Sequence, residues 1–282
     1  MRIFSHPDFT VGFGITPNRP PKRFADFTAG RELHPTPKII TSWIIIIIFV
    51  YFVKETTVND KKKTNWIVGL IFGILAIALV VFVEVVLRPG YLGKSIAKVL
   101  SFCGVILLYA AIFKQKIFDV INLHKAKGIV KLIGFILLFF AGIMILFFLL
   151  RHYIDLSHIR ESLFEKEKLT KENCLFAFAY IIIVNSFLKE AFFRGFLNGI
   201  FPGKWVGAVI SALLFSAYHI SIIGTWFHPA VLALSIGGLV LVGLFLQWLD
   251  SRYKSIIAGW LVHAGANIAI NVIGALMIFG VI

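Results

Sequence analysis

Toward the C-terminal end of the chain, side chains able to move protons and carry charge recur at intervals of four. "KEAFFR" separates Glu190 from Arg194 by four residues, "FSAYH" does the same for Phe215 and His219, and "HAGAN" for His263 and Asn267. Residues four apart on an α-helix share a face, about 6 Å from one another. A carboxylate can take a proton from water, and an imidazole can share that task or ligate a metal. A second imidazole and an amide N–H can steady the oxyanion of a tetrahedral intermediate. Glu190, His219 and His263 also make up a two-histidine, one-carboxylate set of the kind that binds Zn2+ or another divalent metal with one position open. Both routes hydrolyse an acyl bond, for which a peptide is the commonest substrate.

Each fragment also has a plainer use. Glu190 with Arg194 suffices as an intrahelical ion pair. A single intramembrane histidine makes a good helix-to-helix hydrogen bond, and HAGAN reads equally as a small-residue packing face with asparagine as glue. Depth is what joins the fragments. At 1.5 Å per residue, Glu190 and His263 lie about 12 Å from one end of the bundle, Asn267 about 18 Å and His219 about 21 Å. The HExxH, GxSxG and GxGD patterns are absent from the sequence, so a covalent route has no support. A transporter or proton relay would use the same buried polar groups, although the sequence shows no evident internal repeat.

The elements that must position these residues are membrane helices. The chain is 59% hydrophobic and 15% charged, with a mean hydropathy of +0.90, whereas soluble domains are about a quarter charged. Hydropathy marks eight spans: Ile39–Val53, Trp66–Leu87, Lys98–Phe113, Ile129–Leu150, Cys174–Asn198, Trp205–Ile220, Ala230–Leu249 and Ser255–Gly280. The expected fold is all-α, a polytopic membrane bundle of about eight transmembrane helices. Residues 1–38 are Pro-rich and basic and are expected to be a flexible tail. Residues 39–282 are expected to form one transmembrane domain, with its motif-bearing core at about 174–282. No cleavable secretory signal is evident, so the first span is expected to direct insertion.

The formal net charge is +14. The cations punctuate span ends, as in "KKK" at 61–63, which predicts contact with lipid headgroups rather than nucleic acid. Loops on the two sides carry nearly equal numbers of Lys and Arg, so the positive-inside rule does not orient the chain. The loop 151–173 is expected to hold a surface helix. "GLIFG" at 69–73 predicts close helix packing, while Glu84 and Lys131 are isolated intramembrane charges that must pair or snorkel. Cys103 and Cys174 have no metal or disulfide spacing.

At these residues the chain resembles the CPBP intramembrane proteases, also called the ABI family, which include type II CAAX prenyl endopeptidases and bacteriocin-immunity proteins. Their motifs EExxxR, FxxxH and HxxxN appear here as KEAFFR, FSAYH and HAGAN, in the same order, over about 185–271. The resemblance implies an intramembrane endopeptidase, a metalloprotease in some descriptions, acting near the membrane on a peptide or lipidated protein. It implies that Glu190 and His219 activate water, that His263 and Asn267 bind the oxyanion or support the site, and that Arg194 and Phe215 support it. The expected location is the cell membrane of a bacterium, with membrane lipids as neighbours. One position departs from the pattern: Lys189 stands where the motif has its first glutamate. The alternative is therefore a catalytically impaired member, a membrane scaffold or bacteriocin self-immunity protein.

Overall fold

A computed structural model describes residues 61–282, all of whose long elements are helical. The tail at 1–38 and the first expected span at 39–53 lie outside the described residues. The other seven expected spans are each matched by a helix long and apolar enough to cross a membrane. They are α1 (Asn65–Leu87), α2 (Tyr91–Ile112), α3 (Ile129–Tyr153), α4 (Cys174–Leu197), α5 (Lys204–Ile223), α6 (Pro229–Tyr253) and α7 (Ile256–Ile278). The protein is an integral multi-pass membrane protein.

The largest difference in boundaries is at α2, which begins seven residues before the expected Lys98. Hydropathy alone rejects its first turns because they contain Lys94 and Lys98, but both ammoniums are paired. Lys94 lies 2.9 Å from Glu84 and 2.5 Å from Glu167, and Lys98 lies 3.4 Å from Glu84. Glu84 is thus no isolated charge. Burying it on α1 is tolerable because two cations from α2 face it. Lys131, by contrast, sits exposed in the first turn of α3.

Close approach of α1 to α4 follows from the small residues of GLIFG. A Cβ at Gly69 would collide with Ile200, and one at Gly73 with Leu197. An aromatic core fills the centre, with Phe102 of α2 stacked on Phe192 of α4 at 4.0 Å between ring centroids. Outward residues such as Leu75, Leu137 and Leu241 are exposed, as expected of a lipid-facing surface. The loop after α3 does form a surface helix, Leu156–Glu161. Asp155 caps it, accepting from the His158 N–H at 2.9 Å. The Ser157 hydroxyl and that N–H hold the Asp155 carboxyl below its ordinary range. Cys103 and Cys174 are both free.

Candidate active site

α4 carries the first motif and is not a regular helix. It is α-helical over Cys174–Tyr180 and Ser186–Lys189, but widens to π-helix over Ile181–Asn185 and again over Glu190–Leu197. Widening a turn frees carbonyls from the helical ladder, and within lipid each must find another donor. α7 supplies several. The Asn267 side-chain amide donates to the Ile181 carbonyl at 3.1 Å, and the Asn271 amide to Phe178 at 3.1 Å. The Trp260 indole N–H lies 3.1 Å from both the Ile183 carbonyl and the Ser186 hydroxyl. The HAGAN helix is thereby fixed in register against the KEAFFR helix.

That register brings the polar side chains into two couples. Glu190, fully buried, accepts from Nδ1 of His263 at 2.7 Å through Oε1. A carboxylate can only accept when ionised, so Nδ1 carries the proton and Nε2 keeps its lone pair. Nε2 has no hydrogen-bond partner among the described residues. The other carboxylate oxygen, Oε2, faces Arg194 Nε at 3.4 Å. The Arg194 guanidinium lies over the Phe215 ring at 3.9 Å, a cation–π contact inside the bundle.

Lys189, one residue earlier, turns to a different partner. Its Nζ lies 3.1 Å from Nε2 of His219 and 5.5 Å from the centroid of the Tyr218 ring. His219 Nδ1 is 2.6 Å from the Phe215 carbonyl, which can only accept. The proton therefore sits on Nδ1, and Nε2 receives an N–H from Lys189. Both nitrogens of His219 are thus engaged. Phe215 joins the couples: its ring lies 4.4 Å from His219 and 6.0 Å from His263, between centroids.

All six residues singled out from the sequence, Glu190, Arg194, Phe215, His219, His263 and Asn267, meet at this junction of α4, α5 and α7. Asn267 meets it through backbone support, with one of its two amide N–H groups spent on Ile181. Sequence reasoning missed Asp250, which reads in "QWLDSRY" as an ordinary acid at a helix end. It is fully buried, accepts from the Gly259 N–H at 2.7 Å and interacts electrostatically with Arg194. Gly259 is required there, because a Cβ would fall 2.6 Å from Asp250 Oδ1 and 3.0 Å from Glu190 Oε2. Tyr218, packed beneath Lys189, was also missed, since nothing marks it in the motif.

As arranged, the donors do not suit a divalent metal. Glu190 Oε1 is held by an imidazole N–H, and Nε2 of His219 is already engaged by the Lys189 amine. Among the described residues, no group of three or more His, Cys, Asp or Glu side chains is placed to hold a metal ion.

Comparison with known families matches residues 171–269 to the family described as type II CAAX prenyl endopeptidase Rce1-like. This segment includes α4 to the middle of α7 and every residue of the two couples. Comparison with curated proteins and with solved structures returns no match.

Proposed function

The chain carries a domain of the type II CAAX prenyl endopeptidase family, and from that premise we propose that it is a catalytically impaired member. In this reading it binds a peptide or lipidated protein in a bacterial cell membrane without cutting it by the Glu/His route. The observation that carries the reading is the 3.1 Å contact between Lys189 Nζ and His219 Nε2. Activating water by that route needs a carboxylate and an imidazole lone pair facing one water molecule. Here the motif's first-glutamate position bears an amine, and the amine occupies the lone pair. Binding is supported by an apolar cleft of about 710 Å3 between α2 and α4, lined among others by Tyr91, Leu100, Phe176 and Tyr180. A lipid-modified chain end suits such a cleft. Scaffolding and bacteriocin self-immunity are the biological roles open to a binder of this kind.

A second reading, hydrolysis, is favoured by the Glu190–His263 couple. A buried carboxylate that fixes Nδ1–H and leaves Nε2 open prepares an imidazole to act as a general base. Nε2 would take a proton from water, the resulting hydroxide would add to the peptide carbonyl, and the imidazolium would return the proton to the departing amine.

One experiment separates them. Purified protein in lipid nanodiscs is offered prenylated and unmodified peptides, and both binding and cleavage are followed. The impaired reading expects native protein to bind prenylated peptide without cleavage. It also expects Lys189→Glu to gain cleavage, and that gain to be lost in Lys189→Glu with His219→Ala. Slow native cleavage abolished by His263→Ala would establish the second reading instead. If neither native protein nor Lys189→Glu binds or cleaves any peptide, both fail.

A further inference from the structure

At the end of the bundle where α2 runs into α3 and α6 into α7, two loops flank an open recess of about 470 Å3. It is lined by Lys125, Lys127, Gly128, Lys131, Arg252, Tyr253 and Lys254. Five of these seven residues are cationic and none is acidic. We infer that this recess is a binding site for a phosphate group carried on an anionic ligand.

The recess is built from two segments tied together. The Ile256 N–H donates to the Asn122 carbonyl at 3.1 Å, and the Ser255 hydroxyl to the His124 carbonyl at 2.7 Å. These bonds hold the 122–128 loop against the turn between α6 and α7, so the cations on the two sides converge. Lys254 takes a left-handed conformation (φ 54°) at the C-cap of α6, where glycine is usual. A side chain is kept there despite that backbone.

Neither nearby acid lines the recess. Asp250 turns inward to Gly259, and Asp119 lies 3.9 Å from His124. None of the five cations has a salt-bridge partner among the described residues. Cations at the C-terminal end of α6 do complement its dipole, which accounts for Arg252 and Lys254. It does not account for Lys125, Lys127 and Lys131, which belong to the opposite wall. Mutual repulsion across the recess is relieved by an anion with several acceptor oxygens, and a phosphate has them. Lys131 and Tyr253 occupy the ends of membrane spans, a level at which a lipid phosphate lies. A soluble phosphate compound would present the same chemistry.

The test uses the full chain in nanodiscs of phosphatidylcholine, with and without phosphatidylglycerol, read by native mass spectrometry of retained lipid. A parallel arm titrates inorganic phosphate and glycerol 3-phosphate into phosphatidylcholine nanodiscs. Lys125→Gln with Lys127→Gln and Lys131→Gln should weaken phosphatidylglycerol retention by about tenfold or more, given the worth of each cation near an anionic headgroup. A control neutralises three cations elsewhere, Lys114→Gln, Lys116→Gln and Lys204→Gln, and should retain lipid as the native protein does. Retention of phosphatidylglycerol alone identifies a lipid headgroup, and tight binding in the soluble arm identifies a free phosphate compound. Equal retention by the recess variant and native protein overturns the site, as does equal loss in the control. Absence of binding in both arms overturns it too.

Discussion

Lys189 and Glu190 are neighbours in the chain, both buried, and each holds an imidazole, yet their surroundings differ in kind. Glu190 receives a proton donor from His263 and faces the Arg194 guanidinium, so its charge is answered twice. Lys189 has a ring nitrogen and an aromatic face, and no carboxylate within salt-bridge distance among the described residues. One position is answered by opposite charge, whereas the other is buried against a ring nitrogen and an aromatic face. The difference teaches that two adjacent positions of one motif can be under separate constraints. Glu190 ties α4 to α7 through His263, while Lys189 ties α4 to α5 through His219.

The strongest way to break this comparison is to remove the carboxylate. Glu190→Ala removes the carboxylate that faces Arg194, leaving it only the interaction with Asp250, and releases His263. A broken buried pair costs about 3–5 kcal/mol. Unfolding followed by denaturant titration in detergent should show a loss of that order, with Glu190→Gln losing less because its side-chain oxygen still accepts from His263. A loss under about 1 kcal/mol, within the range of an exposed pair, would place Glu190 on the same footing as Lys189.

How far the sequence discloses this arrangement depends on what each residue must satisfy. Seven spans were legible because a membrane demands long apolar helices, and the largest displacement was at the start of α2. Lys94 and Lys98 count against membrane insertion in any linear reading, and their neutralisation by Glu84 and Glu167 exists only in three dimensions. The convergence of Glu190, His219 and His263 was legible through four-residue spacing and common depth. Their pairing was not. Regular helical geometry sets Lys189 and Glu190 about 100° apart, but does not say which imidazole each meets, and the π-helical turns of α4 have no sequence signature of their own. Asn267 was singled out for its amide, and the structure engages that amide with a carbonyl those turns set free. Asp250 was hidden because an acid near a span end is ordinary until its side chain is seen turning inward.

A smaller effect sharpens the comparison by testing the frame common to both residues. Asn267→Ala removes the donor to the Ile181 carbonyl, about two turns of α4 before the Lys189–Glu190 pair. Intramembrane hydrogen bonds of this type contribute about 0.6 kcal/mol on average, up to about 1.7. The expected loss lies in that interval, accompanied by faster hydrogen exchange at amides of Ile181–Asn185. Stability falling as far as in Glu190→Ala would mean that Asn267 takes part in the buried charge network, contrary to its observed contact.

The smallest expected change comes from Lys189→Met, and its sign matters more than its size. The two side chains are similar in length, so the substitution keeps most of the volume against Tyr218 while removing the ammonium. Removing it ends the burial of a cation without a carboxylate, a favourable change. It also ends the hydrogen bond to Nε2 of His219, an unfavourable one. The two contributions oppose each other, and stability should stay within about 1 kcal/mol of native or rise slightly. The same denaturant titration used for Glu190→Ala measures it. A loss of about 3 kcal/mol or more, matching a broken buried pair, would show that Lys189 is bound into the fold as firmly as its neighbour. The amine would then have become part of the scaffold, and restoring a carboxylate there would unfold the site rather than revive it.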